Sequence, residues 1–275
     1  MVKRDKVFQI TDHIILFLLA LFCILPLLLL FSSSFSNETA ILHEGYHILP
    51  REFDLTAYKY ILNGSSGILR SYGISAIITI VGTLGNLFLT ILYAYPISRG
   101  DLKGRTFFSF FLFLTILFNG GLIPTYMMWT NTFHIKNSYL AYILPNLLMN
   151  GFFVIMARNF FTANIPVALL ESAKIDGAGE FRILRDIVLP MSKPILATLG
   201  LFVSLNYWND WQNGLYYISN DKRYTIQVLL NRMLLDTLYM QQGLAKTVNS
   251  SIGASMPTAT LKMAIAVLGA IPVLI

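Results

Sequence analysis

Cysteine is almost missing from this chain. Cys23, inside an apolar run, is the only one, which excludes an internal disulfide and a structural zinc site built on thiolates. Charge is scarce as well: Asp, Glu, Lys and Arg make up 12% of the 275 residues, against about 25% in soluble domains. No G-x-x-x-x-G-K-[ST] stretch occurs, so no P-loop for ATP is present. No nucleophile–base constellation stands out, which speaks against an enzyme. His43 and His47 have the i,i+4 spacing of a metal pair. Gly45 between them weakens a helix and no third ligand presents itself, so 43–47 reads as a solvated loop. Internal repeats and low-complexity tracts are absent. The net charge of +6 would suggest nucleic acid in a soluble protein, but no basic patch is interleaved with exposed aromatics, and no nucleic-acid partner is expected.

What fills the space is hydrophobic. Apolar residues make up 55% of the chain and the mean hydropathy is +0.62, the composition of a multispanning membrane protein. Six apolar stretches fall at roughly 14–31, 72–97, 107–129, 139–156, 195–218 and 257–275. Each approaches the ~20 residues that cross a hydrocarbon core as helix. The expected fold is therefore all-α, a single polytopic membrane domain over 1–275 with six transmembrane helices. Pro26, Pro96, Pro124 and Pro145 lie in or beside spans; neighbouring helices and water can satisfy the backbone groups they free. The first run follows Lys3, Arg4 and Lys6, as in a signal peptide, but it is long and ends in Ser32-Ser33-Ser34 without a small-x-small cleavage pattern. It reads as a retained helix. The last run reaches Ile275, and a short basic tail beyond it is expected.

Orientation follows from the basic residues. A cytoplasmic N-terminus puts Lys3, Arg4, Lys6, Arg99, Lys103, Arg105, Arg158, Lys174, Arg182, Arg185 and Lys193 inside. Arg51, Lys59, Arg70, Lys136, Lys222, Arg223, Arg232 and Lys246 then lie outside, spread over longer loops. The short loop 98–105 is strongly basic, and short loops carry the positive-inside signal. The outer stretch 32–71 holds the turn-rich run Asn63-Gly64-Ser65-Ser66-Gly67, and 224–235 reads as a short helix at the outer interface or against a partner.

One long segment resists the membrane. Residues 171–194 read E-S-A-K-I-D-G-A-G-E-F-R-I-L-R-D-I-V-L-P-M-S-K-P. Their charges cannot all lie in lipid, where each costs at least about 2.5–3.5 kcal/mol. Yet Ile175, Ala178, Phe181 and Leu184 recur at helical spacing, interrupted by Gly177 and Gly179. The pattern predicts two short amphipathic helices joined by a glycine bend.

This segment resembles the E-A-A loop of permease subunits of ATP-binding-cassette importers, in the carbohydrate family similar to the maltose-transporter G subunit. Glu171, Ala173, Asp176, Gly177, Ala178, Phe181, Leu189, Pro190 and Pro194 fall on the pattern in order. Ser172 stands where the pattern prefers Ala. Trp208-Asn209-Asp210 matches a second element, W-N-x. The resemblance implies that 158–194 is a cytoplasmic loop whose coupling helix enters a cleft of a separate ATPase. Glu171, Ala173, Asp176, Gly177, Ala178 and Phe181 would make that contact, the small residues allowing close approach and the carboxylates meeting arginine forks. It implies no cofactor on this chain, ATP and Mg on the partner ATPase dimer, a second permease subunit, an extracytoplasmic solute-binding protein and an oligosaccharide cargo. The protein would sit in membrane lipid of the plasma or inner membrane. Alternatives are a permease for another solute, such as an amino acid or phosphate, and a membrane enzyme or anchor without transport.

Candidate pathway residues are Asn206, Trp208, Asn209, Asp210 and Lys262. Asp210 and Lys262 are charges inside apolar runs at similar expected depth. They either pair or line a polar vestibule, or Lys262 snorkels and Asp210 is wet. The aromatic and amide residues of 206–217 suit a sugar, or form the interfacial aromatic belt. Asn119, Gly120, Gly121 and Pro124 either unwind the third span or serve helix packing, and packing is the simpler reading.

Overall fold

The computed structural model describes residues 6–64, 67–145, 147–246 and 258–274. Every regular element among them is helical. Lys3, Arg4, Ser65 and Ser66, and the stretch 247–257, lie outside the described residues. The chain forms two compact units, 1–68 with 230–275, and 69–229.

The first unit begins with α1 (Lys6–Ser34), a helix apolar all round whose side chains stay exposed, Phe22 at 76%. Such a surface is built for lipid or a partner helix. It packs along α15 (Thr258–Leu274), as do α2 (Glu38–Glu44) and α3 (Thr56–Gly64). Glu38 fixes the start of α15. Its carboxylate accepts the N–H groups of Ala259 and Thr260, both at 2.8 Å, and the Thr260 hydroxyl at 2.7 Å. These donors belong to the first turn of α15, which has no intrahelical partners for them. Gly45, at φ 85°, ends α2. His43 therefore sits at a helix end and His47 beyond its stop, where a solvated loop was expected. No group of metal-ligating side chains occurs among the described residues.

The second unit is built on α4 (Ile68–Ser98). The third expected span is broken. After α5 (Arg105–Leu117) the chain turns by 110° into α6 (Leu122–Met127) and a π turn at Met128–Thr132. The break is chemical as well as geometric: Gly121 holds φ 82° and donates its N–H to Asn119 Oδ1 at 2.9 Å. Pro124 falls in the first turn of α6, where its missing N–H costs nothing. The unwinding reading of 119–124 thus replaces simple packing.

The fourth expected span, 139–156, is not one helix either. It consists of α7 (Leu140–Ile143), an irregular stretch, and the start of α8 (Gly151–Asn164). Irregular backbone inside a membrane protein must find partners within the protein. Here they come from distant helices. Tyr207 donates to the Ile143 carbonyl at 3.2 Å, Asn213 to that of Pro145 at 3.2 Å, and Asn86 to that of Leu147 at 2.5 Å. Asn150 then caps α8, accepting the Phe152 N–H at 2.9 Å.

α9 (Val167–Ile175), α10 (Glu180–Ile183), a π turn at Leu184–Val188 and α11 (Leu189–Met191) carry the charged segment. α12 (Lys193–Trp208) and α13 (Gln212–Tyr217) occupy the fifth apolar run, parted at 209–211. α14 (Ile226–Lys246) extends the short interfacial helix expected at 224–235. Its start is anchored in this unit by the Ile226 N–H, which donates to Ser75 Oγ at 2.8 Å. Close crossings depend on glycine: a Cβ at Gly82 would meet the Tyr207 ring at 2.5 Å, and one at Gly151 would meet Ile116 at 2.8 Å.

By length and composition, α1 and α4 can each cross a membrane. Among the described residues, up to five spans result if each bent helix pair counts as one.

Candidate functional site

The charged segment folds as a bent helical hairpin. Pro166 follows the end of α8 and starts α9, a turn of 78°. Leu170 and Ala173, three residues apart, face inward and are buried, whereas Glu171, Lys174, Ile175 and Asp176 stay exposed. The end of α9 is a Schellman motif. The Ala178 N–H reaches back to the Ala173 carbonyl at 2.9 Å, and the Gly177 N–H to that of Lys174 at 3.0 Å. That geometry places the residue after the cap in the left-handed region, and Gly177 has φ 80°. Here is the glycine bend: one left-handed residue lets two successive N–H groups, its own and that of Ala178, reach the Lys174 and Ala173 carbonyls.

After the bend, Ile183, Leu184 and Val188 turn inward. The π turn at Leu184–Val188 precedes Pro190. A proline ring clashes with the carbonyl four residues earlier, and a widened turn relieves it. Two large apolar side chains point out instead: Ile175 is 85% exposed and Phe181 81%. Ala173 and the half-buried Ala178 are different. They pack against the unit's own core, so their small size serves the seating of the loop on this chain before any partner arrives.

The loop is also braced from the side. Tyr95 in the last turns of α4 donates its hydroxyl to Glu180 Oε2 at 2.6 Å. Arg99 Nη1 reaches the same hydroxyl at 3.1 Å and Glu180 Oε2 at 3.4 Å. Its other edge makes a two-point contact with Asp101, Nε to Oδ1 at 3.1 Å and Nη2 to Oδ2 at 2.9 Å. Lys174 on α9 closes the ring, 2.7 Å from Asp101 Oδ2 and 3.0 Å from Glu180 Oε1. Hydrogen bonds from Arg99 and then Lys174 hold the Asp101 carboxyl far below the usual carboxylate range. The Tyr95 hydroxyl, chiefly, lowers that of Glu180. Lowered carboxylates contribute at neutral pH, and that contribution is lost only as pH falls through their lowered values. Beside the ring lies a cavity of about 370 Å³ walled by Leu92, Pro96, Leu102 and Leu184, with Phe181 at its edge.

Sequence reasoning read Arg99 only as an orientation signal and did not single out Tyr95 or Asp101. The available cue was the alternation of sign, Arg99 with Asp101 and Lys174 with Glu180, in two stretches expected on one side of the membrane.

The pathway candidates gather in part. Trp208, Asn209 and Asp210 lie at the junction of α12 and α13, with Asn206 exposed one turn earlier. Trp208 stacks obliquely on Tyr72, ring centres 6.2 Å apart. Asn209 accepts from Gln227 at 3.4 Å. Asp210 Oδ1 accepts the Asn213 N–H at 3.1 Å. Asp210 Oδ2 and Trp208 Nε1 are buried with no hydrogen-bond partner among the described residues. Lys262 belongs to the first unit, half-buried on α15.

The second unit is thus a largely apolar helical body that carries a braced, charged loop with two exposed apolar side chains, Ile175 and Phe181. Residues 100–275 match the family described as binding-protein-dependent transport system inner membrane component, and the chain belongs to that family. It is 36% identical to the polygalacturonan/rhamnogalacturonan transport system permease protein YtcP of Bacillus subtilis (strain 168), over 99% of this chain and 93% of that protein. It is 35% identical to protein LplC of the same organism, covering 99% and 90%. Among solved structures, it superposes on a bacterial ABC transporter involved in the import of the acidic polysaccharide alginate. That match has a TM-score of 0.81 and 27% identity, covering 100% of this chain and 95% of that one. The chain is an all-helical, multi-pass inner-membrane permease subunit of an ABC importer.

Proposed function

We propose that the chain pairs with a second permease to form the pathway for ATP-driven uptake of oligosaccharides, with uronate-containing chains as the preferred cargo. The observation that carries the cargo class is the full-length likeness to a permease named for polygalacturonan/rhamnogalacturonan transport, joined by the likeness to an alginate importer. The pathway crosses the membrane on six spans of this chain, the third of them bent, with the N-terminus and 158–194 cytoplasmic. A soluble ATPase dimer that binds ATP and Mg docks on 171–181; Glu171 and Asp176 offer it carboxylates, and Ile175 and Phe181 offer it apolar area. A solute-binding protein delivers cargo outside. Trp208, Asn209, Asp210, Asn206 and Lys262 contribute to the pathway, where the unpartnered Asp210 Oδ2 and Trp208 Nε1 are an acceptor and a donor for sugar hydroxyls. A second reading, an anionic small solute, rests on 28% identity over 85% of the chain to an sn-glycerol-3-phosphate permease of Brucella suis.

The test is uptake by the complex purified with its native partners and reconstituted in liposomes, offered oligogalacturonides, oligomannuronates, arabinotriose and glycerol 3-phosphate. Uptake of a uronate oligomer is expected. Uptake of glycerol 3-phosphate alone, or a complex that brings down no ATPase, ends this proposal. Asp210→Asn should leave the complex assembled and cut uptake about tenfold, the worth of one charged hydrogen bond to cargo. Unchanged uptake across the panel would return Asp210 to a purely structural role.

Orientation is checked separately. With Cys23→Ser as background, Lys222→Cys should react with an impermeant maleimide in intact cells and Arg182→Cys only after lysis. Labelling of both in intact cells would overturn the topology.

A further inference from the structure

Motion imposed on the coupling loop has two ways into the membrane. One is along the main chain, through α8 and α12. Both routes begin at breaks: the chain bends by 78° between α8 and α9 and by 81° between the 180–191 segment and α12. The Asp176–Gly179 bend lies between them. Bends of this kind absorb displacement, because each rests on a few backbone hydrogen bonds rather than on a continuous helical ladder. The other way is through side chains, and it leads to α4, the longest helix among the described residues. Lys174 sits on the near side of the bend and Glu180 on the far side. Lys174 meets Asp101, Glu180 meets Arg99 and Tyr95, and the two meet each other; Tyr95, Arg99 and Asp101 belong to the end of α4 and the loop behind it. The ring therefore ties the two arms of the hairpin to each other and both to α4. Arg99 is held on both edges, by Asp101 on one and by Glu180 and the Tyr95 hydroxyl on the other. Its guanidinium carbon also lies 5.9 Å from the centre of the Tyr95 ring.

We infer that Tyr95, Arg99, Asp101, Lys174 and Glu180 act as a clamp that makes the coupling loop and α4 a single moving body, with Lys174 as its closing member. The inference rests on the reading that an ATPase docks on this loop. The clamp residues touch neither cargo nor nucleotide; they are positioning residues, and their work is to keep the Gly177 bend from swallowing the stroke. Salt-bridge networks joined to rigid helices are one physical route by which a conformational change passes between sites. Ionic contacts that hold in both states supply that rigidity without a large buried interface.

The experiment places nitroxides on Lys103→Cys and Arg182→Cys in a Cys23→Ser background, in the complex purified with its ATPase. The distance between them is measured by pulsed EPR, nucleotide-free and trapped with MgATP and vanadate. The parental pair should give one narrow distance that is the same in both states. Lys174→Met should broaden that distance or shift it on trapping, and raise the ATP hydrolysed per solute imported. Lys174→Arg, whose fork can bridge both carboxylates, should restore the parental distance. Tyr95→Phe, which removes one hydroxyl and no charge, should loosen only the Glu180 arm and give a smaller change in the same direction. A parental distance that changes on trapping, or a Lys174→Met distance identical to the parent in both states while hydrolysis proceeds, overturns the clamp. Absence of vanadate-sensitive hydrolysis in the parental complex is a different result: it overturns the docking reading and takes this inference with it.

Discussion

Valine at position 177 should abolish most ATP-driven uptake while the two permeases still assemble. Gly177 stands at φ 80° with nothing within 4 Å of the place a Cβ would take, so crowding is not the obstacle. The obstacle is the backbone. A left-handed residue other than glycine costs about 1–2 kcal/mol, and β-branching adds to it. Strain of about 1–3 kcal/mol lowers the population of the docked geometry roughly 5- to 150-fold, since each 1.4 kcal/mol is a factor of ten. The chain would otherwise straighten, which breaks the Ala178-to-Ala173 and Gly177-to-Lys174 hydrogen bonds and moves Phe181 relative to Ile175. Asparagine tolerates the left-handed region far better than other side chains. The expected order of uptake is therefore glycine, asparagine, alanine, valine. ATPase retained on the purified complex and uptake at matched expression are the two measurements. Valine transporting at the parental rate would show that the bend is dispensable.

The segment that makes this prediction possible was legible because glycine and charge are rare enough here to stand out. The two arms and the bend follow from Gly177, Gly179 and the spacing of apolar residues between charges. The all-helical class was legible for a similar reason: runs such as 14–31 leave a chain in lipid no other way to satisfy its backbone. Hydropathy could not locate the breaks. It sums side-chain preference over a window, whereas the helix at 139–156 stops because carbonyls near Pro145 find donors on Asn86, Tyr207 and Asn213, all more than fifty residues away by number. The unwinding at 119–121 was visible as a glycine pair, but Gly in membrane helices has a packing use as well. Its sign could be read only from the φ of Gly121. Ala173 carries the same lesson. A small residue in a docking motif suggests close approach by a partner, and the structure shows its own core against it. The clamp was the least legible part, because pairing Asp101 with Lys174 requires knowing that two loops share one place.

Aspartate at position 181 should strip the ATPase from the complex while leaving the permease itself as stable as before. Phe181 is 81% exposed, so the folded chain gains little by holding it. A phenylalanine buries about 150–250 Å² when covered, worth several kcal/mol at about 25 cal/mol per Å². Part of that goes to ordering the side chain and desolvating its surroundings. A net loss of about 2–4 kcal/mol, the range of an aromatic anchor in an interface, weakens ATPase association by roughly 30- to 1000-fold. Leucine at 181 keeps most of the apolar area and should cost far less. Thermal unfolding of the solubilised complex and ATPase retained after dilution separate the possibilities. A variant that loses the ATPase but melts at the parental temperature places Phe181 in the contact. A variant that keeps the ATPase assigns that side chain to the cavity wall beside Leu184, or to lipid, and leaves Ile175 and the carboxylates of Glu171 and Asp176 to carry the docking.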